Sequence, residues 1–410
     1  MRGRAKAIAL CVMLLITSLC PPVGAGEQAD ERSLVQDNSV FALDLYQKLL
    51  TSESNIFFSP YIISTAFAMT YAGARGKTEK QVAKTMHFSL SQDKLHPAFS
   101  NLQDKLNEVQ KKGRVQLHVA NSLWPHNKYP FKEKFLSLAK INYKTEITAV
   151  DYVRHTEKAR KTINTWVEDK TMDKIREPIP PGLLDKDTRL VLSNAIYFKG
   201  NWWRQFDKKD TRDRLFKLSP DKTVKTPMMS QTGHFGYWAD RDLQVLEMPY
   251  EDRHLSMFVL LPTKVDGLSQ LEKRLNVENL RKWTIKLRWQ EVDILFPKFK
   301  LKYDYRLDRV LQAMGMVDAF TDNANFSGMD GTDWLYIAAV LHKALLAVNE
   351  EGTVALAVNI IIGTEKSGGP RPPPPPQFYA DHPFVFLIQE KQTGSILFIG
   401  RMTDPMKTKE

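Results

Sequence analysis

Cysteine is almost absent: two in 410 residues, Cys11 and Cys20, both within the first 25. A disulfide framework is therefore excluded for the rest of the chain, whose stability must come from a core. No apolar run reaches the roughly 20 residues of a membrane helix, which argues against a spanning protein. The nine histidines contain no His-Glu-x-x-His spacing and have no cysteine company, so no metal site is expected. There is no Gly-x-Ser-x-Gly elbow, the commonest signature of a serine hydrolase, and no enzyme is expected. The run Gly73-Ala74-Arg75-Gly76-Lys77-Thr78 imitates a phosphate-cradling loop, but Tyr71 stands where its first glycine belongs and a helical pattern precedes it. No Gly-, Ser- or Pro-rich linker divides residues 26–410, which predicts a single domain.

At the N-terminus, Arg2, Arg4 and Lys6 precede the apolar run Ala7–Leu19 and the small residues Val23-Gly24-Ala25. That order predicts a secretory signal peptide over 1–25 and a secreted, extracellular glycoprotein. The net charge of +11 falls to about +8 without those three cations. This excess favours acidic surfaces such as sulfated glycans, and neither nucleic acid nor membrane is an expected partner.

Apolar residues recur at helical spacing between Ser33 and Leu50, and Ser59-Pro60 caps a second helical run, Tyr61–Tyr71. Further helices are predicted over Thr78–Met86, Asp93–Lys111, Lys132–Leu138 and Glu157–Asp173. Arg189–Phe198, Asp242–Met248, Leu255–Leu261 and Val292–Phe296 read as strands. Helices first and strands later argue an α+β fold with a mainly antiparallel sheet system.

The segment Asn349–Ser367 is rich in small and β-branched residues, free of proline, and suited to joining a sheet. Pro370, Arg371 and the run Pro372–Pro376 follow it, favouring polyproline II and a stretch that stands in solvent. A cut between these parts would free a strand from a tether.

Four ordered blocks then carry a resemblance to the serpin family over nearly the whole chain after residue 25. They are Asn55-Ile56-Phe57-Phe58-Ser59-Pro60, Ser193 to Trp202, His342-Lys343-Ala344 leading to Val348 to Thr353, and Ala380 to Phe384 ending in Ile399-Gly400-Arg401. The body resembles the ovalbumin-related branch. The resemblance implies about nine helices around three β-sheets and an exposed reactive-centre loop, here about 350–377, that inserts as a strand when a protease cuts it.

By position, the insertion hinge is Glu350, Glu351, Gly352, Thr353, Val354, Ala355, Leu356 and Ala357. The attacked bond, fourteen residues after Gly352, is Lys366-Ser367, and a lysine there suits the acidic pocket of a trypsin-like serine protease. Arg371 is the rival, with Pro372 behind it. A small-residue face of Thr353, Ala355 and Ala357 favours insertion, whereas Leu356, Val358 and Asn359 depart from the short run of inhibitory members. A non-inhibitory carrier, chaperone or storage protein therefore stays open.

The resemblance also implies a sheet-opening cluster of Ser59, Asn194 and His342, with Ile62 where many members have serine. Lys105, Lys111, Lys112 and Arg114 stand where some relatives bind heparin, although Asp104 and Glu108 interrupt them. Asn325-Phe326-Ser327 is a glycan acceptor sequon. A monomer with no obligatory cofactor is expected.

Overall fold

The computed structural model describes residues 25–50, 54–112, 115–353 and 373–407. Helices dominate up to Lys170. Helix α1 (Ala25–Leu49) sinks Leu34, Phe41, Leu45 and Tyr46 completely, a spacing that keeps them on one face. Helix α2 (Pro60–Tyr71) begins where Ser59 Oγ accepts the Ile62 N–H at 3.3 Å and Pro60 occupies the first turn. Eleven of its twelve residues are buried, so it runs through the core rather than over it.

Helices α3 (Gly76–Met86) and α5 (Glu133–Tyr143) stop at His87 and Lys144, both left-handed, while α4 (Gln92–Lys112) lies against α1 and α5. Helix α6 (Tyr152–Lys170) starts five residues before the predicted Glu157, because Asp151 Oδ1 accepts the N–H groups of Val153 and Arg154 at 3.0 Å. Later come α7 (Leu268–Arg274), α8 (Val277–Thr284), α9 (Asp308–Ala313) and the single turn α10 (Ser327–Asp330). Ten α-helices thus stand among the described residues, against about nine expected.

The strands are β1 (Ile56–Phe58), β2 (Gln116–Pro125), β3 (Glu146–Ile147), β4 (Leu190–Asn201), β5 (Arg212–Ser219), β6 (Lys222–Ala239), β7 (Leu243–Pro249) and β8 (Leu255–Pro262). They continue with β9 (Arg288–Pro297), β10 (Phe299–Arg306), β11 (Leu341–Val348), β12 (Gly352–Thr353), β13 (Gln377–Tyr379), β14 (Phe384–Glu390) and β15 (Ile396–Met402). Nine form one sheet in the order β1-β15-β14-β8-β7-β6-β9-β13, with β5 on β6. Its pairings are antiparallel except β13 on β9. The expected α+β class and three sheets are therefore present.

The other two sheets position the site. One is the antiparallel pair β10-β11; the other runs β12-β4-β2-β3. Among the described residues no ladder joins β4 to β11. The chain passes from β11 through residues 349–351 and pairs with β4 only at Gly352 and Thr353. An apolar cluster from Leu34 to Met402 forms the main core, a smaller one of Trp124, Tyr152, Ala159, Ile163 and Ile179 lies under α6, and α2 packs on both β4 and β15.

Candidate functional site: the hinge and the divided sheet

The hinge starts as a local turn. Asn349 Oδ1 accepts the N–H groups of Glu351 (3.2 Å) and Gly352 (3.1 Å), and the Asn349 N–H donates to Gly352 O at 2.9 Å. An asparagine that bonds its own backbone two and three residues on is a turn-forming device, here at the start of the segment expected to be extended. Gly352 then passes so close to β4 that a Cβ would lie 2.2 Å from Gly200 O and 2.5 Å from Asn201 Cα, at a φ of +143°. Only glycine fits that approach. The register sets Gly352 opposite Asn201 and Thr353 opposite Gly200, antiparallel.

Long-range bonds fasten this turn. Trp202 N–H donates to Glu351 O and Phe206 N–H to Glu350 O, both at 2.9 Å. The Trp202 indole, 2 % exposed, donates Nε1–H to Asn349 O at 3.0 Å and stacks on Tyr250 with centroids 4.8 Å apart. Glu350 is buried and takes Lys298 Nζ at 3.0 Å on Oε1 and 2.9 Å on Oε2, plus the Thr211 hydroxyl at 2.8 Å. Burial pushes its carboxyl up, but the Lys298 and Thr211 hydrogen bonds prevail and hold it below the ordinary carboxylate range. Glu351 pairs with the exposed Lys208 at 2.6 Å, and that bond raises the lysine.

At the far end of β11, His342 meets Ser59. The Ser59 N–H donates to His342 Nε2 at 3.0 Å, and Ser59 Oγ donates to Leu397 O at 2.7 Å. Accepting at Nε2 requires the neutral ring, and burial pushes its pKa down to about 4. Ile62, buried, contributes only its N–H to Ser59. Two of the three residues expected in the sheet-opening cluster are thus in contact. Asn194 lies in β4 opposite Asn121, and its side chain is outside the described part.

Val354, Ala355, Leu356, Ala357, Lys366 and Ser367 lie outside the described residues, as does Arg114. Lys111 and Lys112 end α4, with side chains that are likewise outside. Lys105 is held by Glu31 at 2.7 Å, and Asp104 of the same helix pairs with Lys144. Asn325 turns its Oδ1 onto the Ser327 N–H at 3.1 Å while Phe326 is buried beside it. Lys298, Thr211 and Lys208 were not read from the sequence. Nothing local marks them, since Lys298 stands 52 residues from Glu350 and Thr211 stands 139 away.

The Serpin (serine protease inhibitor) family model matches residues 36–405. The leukocyte elastase inhibitor of Xenopus laevis is 40% identical over 374 residues, covering 89% of this chain and 97% of the relative. Human serpin B3 is 37% identical over 393 residues, covering 91% and 100%. Among solved structures, a loop-inserted, cleaved ovalbumin mutant matches with a TM-score of 0.82 and 30% identity over 91% of this chain and 100% of that one. Human thyroxine-binding globulin in complex with thyroxine matches with 0.81 and 31% over 92% and 100%.

These relatives correct the expectation of a secreted, extracellular protein. The leukocyte elastase inhibitors and serpins B3 and B4 are intracellular members of the ovalbumin-related branch, and secretion finds no support in them. That expectation rested on the basic-then-apolar pattern of residues 1–25, a short composition signal. Family model, relatives and structural neighbours agree over nine-tenths of the sequence, and the chain belongs to the serpin family of serine protease inhibitors.

Proposed function

We propose that this serpin is a suicide-substrate inhibitor of trypsin-like serine proteases, cut at Lys366-Ser367, whose severed loop enters between β4 and β11. One observation carries the reading: Gly352 and Thr353 already pair antiparallel with β4, while β4 and β11 share no ladder among the described residues. Insertion of a cleaved loop is established for serpins as a class. Here the first two rungs stand at the edge where such a strand would start.

The outcome is a race. The protease serine forms an acyl-enzyme at Lys366, and water releases it unless the loop zips in first and drags the enzyme out of shape. Losing one oxyanion donor costs about 2.7–4 kcal/mol, roughly 10²–10³ in rate, so distortion of the whole site stalls deacylation. On this reading the chain is consumed once and turns nothing over.

The bulk of Leu356 and Val358 and the amide of Asn359 favour a second reading, a serpin that is cleaved without trapping its protease. Incubation with trypsin, resolved on a denaturing gel, separates the two. The inhibitor gives an SDS-stable complex that Thr353→Arg abolishes, by forcing a charge into a packed sheet, and that Lys366→Leu abolishes for trypsin. Clean cleavage without complex leaves the second reading.

A further inference from the structure

Where the two anchors of the loop come together, the surface carries an arrangement that inhibition does not use. Trp203 follows Trp202, whose N–H holds the hinge at Glu351. Trp289 belongs to β9, the strand that takes the returning chain through the Asp293 N–H bonded to Pro376 O at 2.9 Å and through its pairing with β13. The two indoles meet with centroids 5.4 Å apart at 52°. The Arg253 guanidinium lies 3.9 Å from the centre of the Trp203 ring and 5.9 Å from that of Trp289, and the Arg204 guanidinium lies 5.2 Å from Trp203. Trp289 is 49% exposed, and both arginines are exposed.

Neither Arg204 nor Arg253 enters an ion pair among the described residues, although Asp252 beside Arg253 keeps its Oδ2 buried without a hydrogen-bond partner. Glu247 takes Lys391 at 2.5 Å and the Ser256 hydroxyl at 2.8 Å. Glu251 accepts from Asn201, and Asp252 accepts from the His254 N–H. Two like charges are therefore gathered at one indole, neither of them ion-paired to a carboxylate among the described residues. Stacking orients each guanidinium and leaves its edge free for a planar carboxylate. Backbone geometry reinforces this, since Arg253 sits at φ +60°, a left-handed position that aims its side chain from the tip of a turn.

We propose that Trp203, Arg204, Arg253 and Trp289 form a docking site for an acidic segment of a protein partner, its carboxylates on the guanidinium edges and its side chains against the indoles. Tryptophan and arginine are the residues that dominate protein interfaces, and the charge complementarity is direct. A sulfated polysaccharide is the poorer fit, because Glu251, Asp252 and Glu291 confine the positive patch to a compact spot rather than a stripe. The site needs no cut at Lys366. Occupancy should nonetheless be felt by the hinge, since Trp202 and Phe206 on either side of Trp203 and Arg204 hold Glu351 and Glu350.

The test is fluorescence anisotropy of a labelled peptide of alternating glutamate and tyrosine with the intact protein. Arg204→Ala combined with Arg253→Gly removes both charges, and glycine keeps the left-handed turn unstrained. Binding that this double variant weakens about tenfold or more, and that Trp289→Ala also weakens, supports the site. Equal melting temperatures show that the variants are folded, as expected for exposed side chains. The proposal is overturned if the wild-type protein does not bind the peptide, or if the variants bind it as well as wild type. Heparin binding that depends on the same residues, without peptide binding, overturns it in favour of a glycan.

Discussion

The nine-stranded sheet and the divided pair of sheets sit on one core yet are finished differently. In the first, β8 and β15 are buried along their entire lengths and β14 nearly so, with Phe57, Phe386 and Phe398 stacked among them. Each inner strand has partners on both sides. In the second, β11 alternates buried and part-exposed residues, and β4 receives only two residues of β12 on its free side. Polar groups are also buried there, among them Ser59, His342, Glu350 and Glu351. One region has its backbone pairing completed by neighbours; the other is held by a few side chains. Removing those side chains should therefore affect the second region selectively.

Gly352→Ala is the severest test, because the added methyl collides with backbone on β4 that cannot swing away. A cost of about 3 kcal/mol or more is expected from strain and overpacking. Denaturant melts check it, and a wild-type midpoint would refute the close approach.

Acid comes next. His342 and His96 are both held near pKa 4 by burial, against about 6.5 in the unfolded chain. Between those values the unfolded state binds more protons, so stability falls as pH drops from about 6.5 to 4, by about 3 kcal/mol for each histidine. Glu350 acts in the same direction at lower pH, losing its stabilisation as pH falls through its depressed pKa. Unfolding free energies at neutral and mildly acid pH measure the sum. A flat profile above about pH 4 would contradict the neutral His342 that accepts from Ser59.

The pair Lys298–Glu350 should respond unequally. Lys298→Ala leaves a buried carboxylate without its cation and costs about 3 kcal/mol, whereas Glu350→Gln leaves a lysine that can reach water and costs about 1 kcal/mol. Equal losses would mean that the carboxylate is not buried. Lys208→Ala is the mildest change, about 0.5 kcal/mol or less, because an exposed lysine gains little from Glu351. Thermal melts resolve the order.

Much of the fold was legible. The period of Leu34, Phe41 and Leu45, the Ser59-Pro60 cap and the apolar run Leu255–Leu261 each point to elements that exist, because burial demands regular spacing. Strand β2 was not among the predicted strands, although Val115, Leu117 and Val119 alternate with Gln116 and His118; Asn121 interrupts that period, and pairing with β4 carries the strand on to Pro125. Of the site, the resemblance pointed to Ser59 and His342, whereas Asn349 was read only as the start of a strand-forming segment and its turn was missed. Lys298 and Thr211 stayed hidden because their role is a contact between distant segments.

Local chemistry alone decided where helices start and which residues are apolar enough to be buried. Tertiary structure alone decided that β4 and β11 stand unjoined with the hinge pairing at the edge, that Glu350 finds Lys298, and that Arg204 and Arg253 gather at one indole. Helix caps and periodicity act over a few residues, so they are written along the chain. Ion pairs, strand partners and stacked rings depend on where remote segments meet, which no short stretch of sequence encodes.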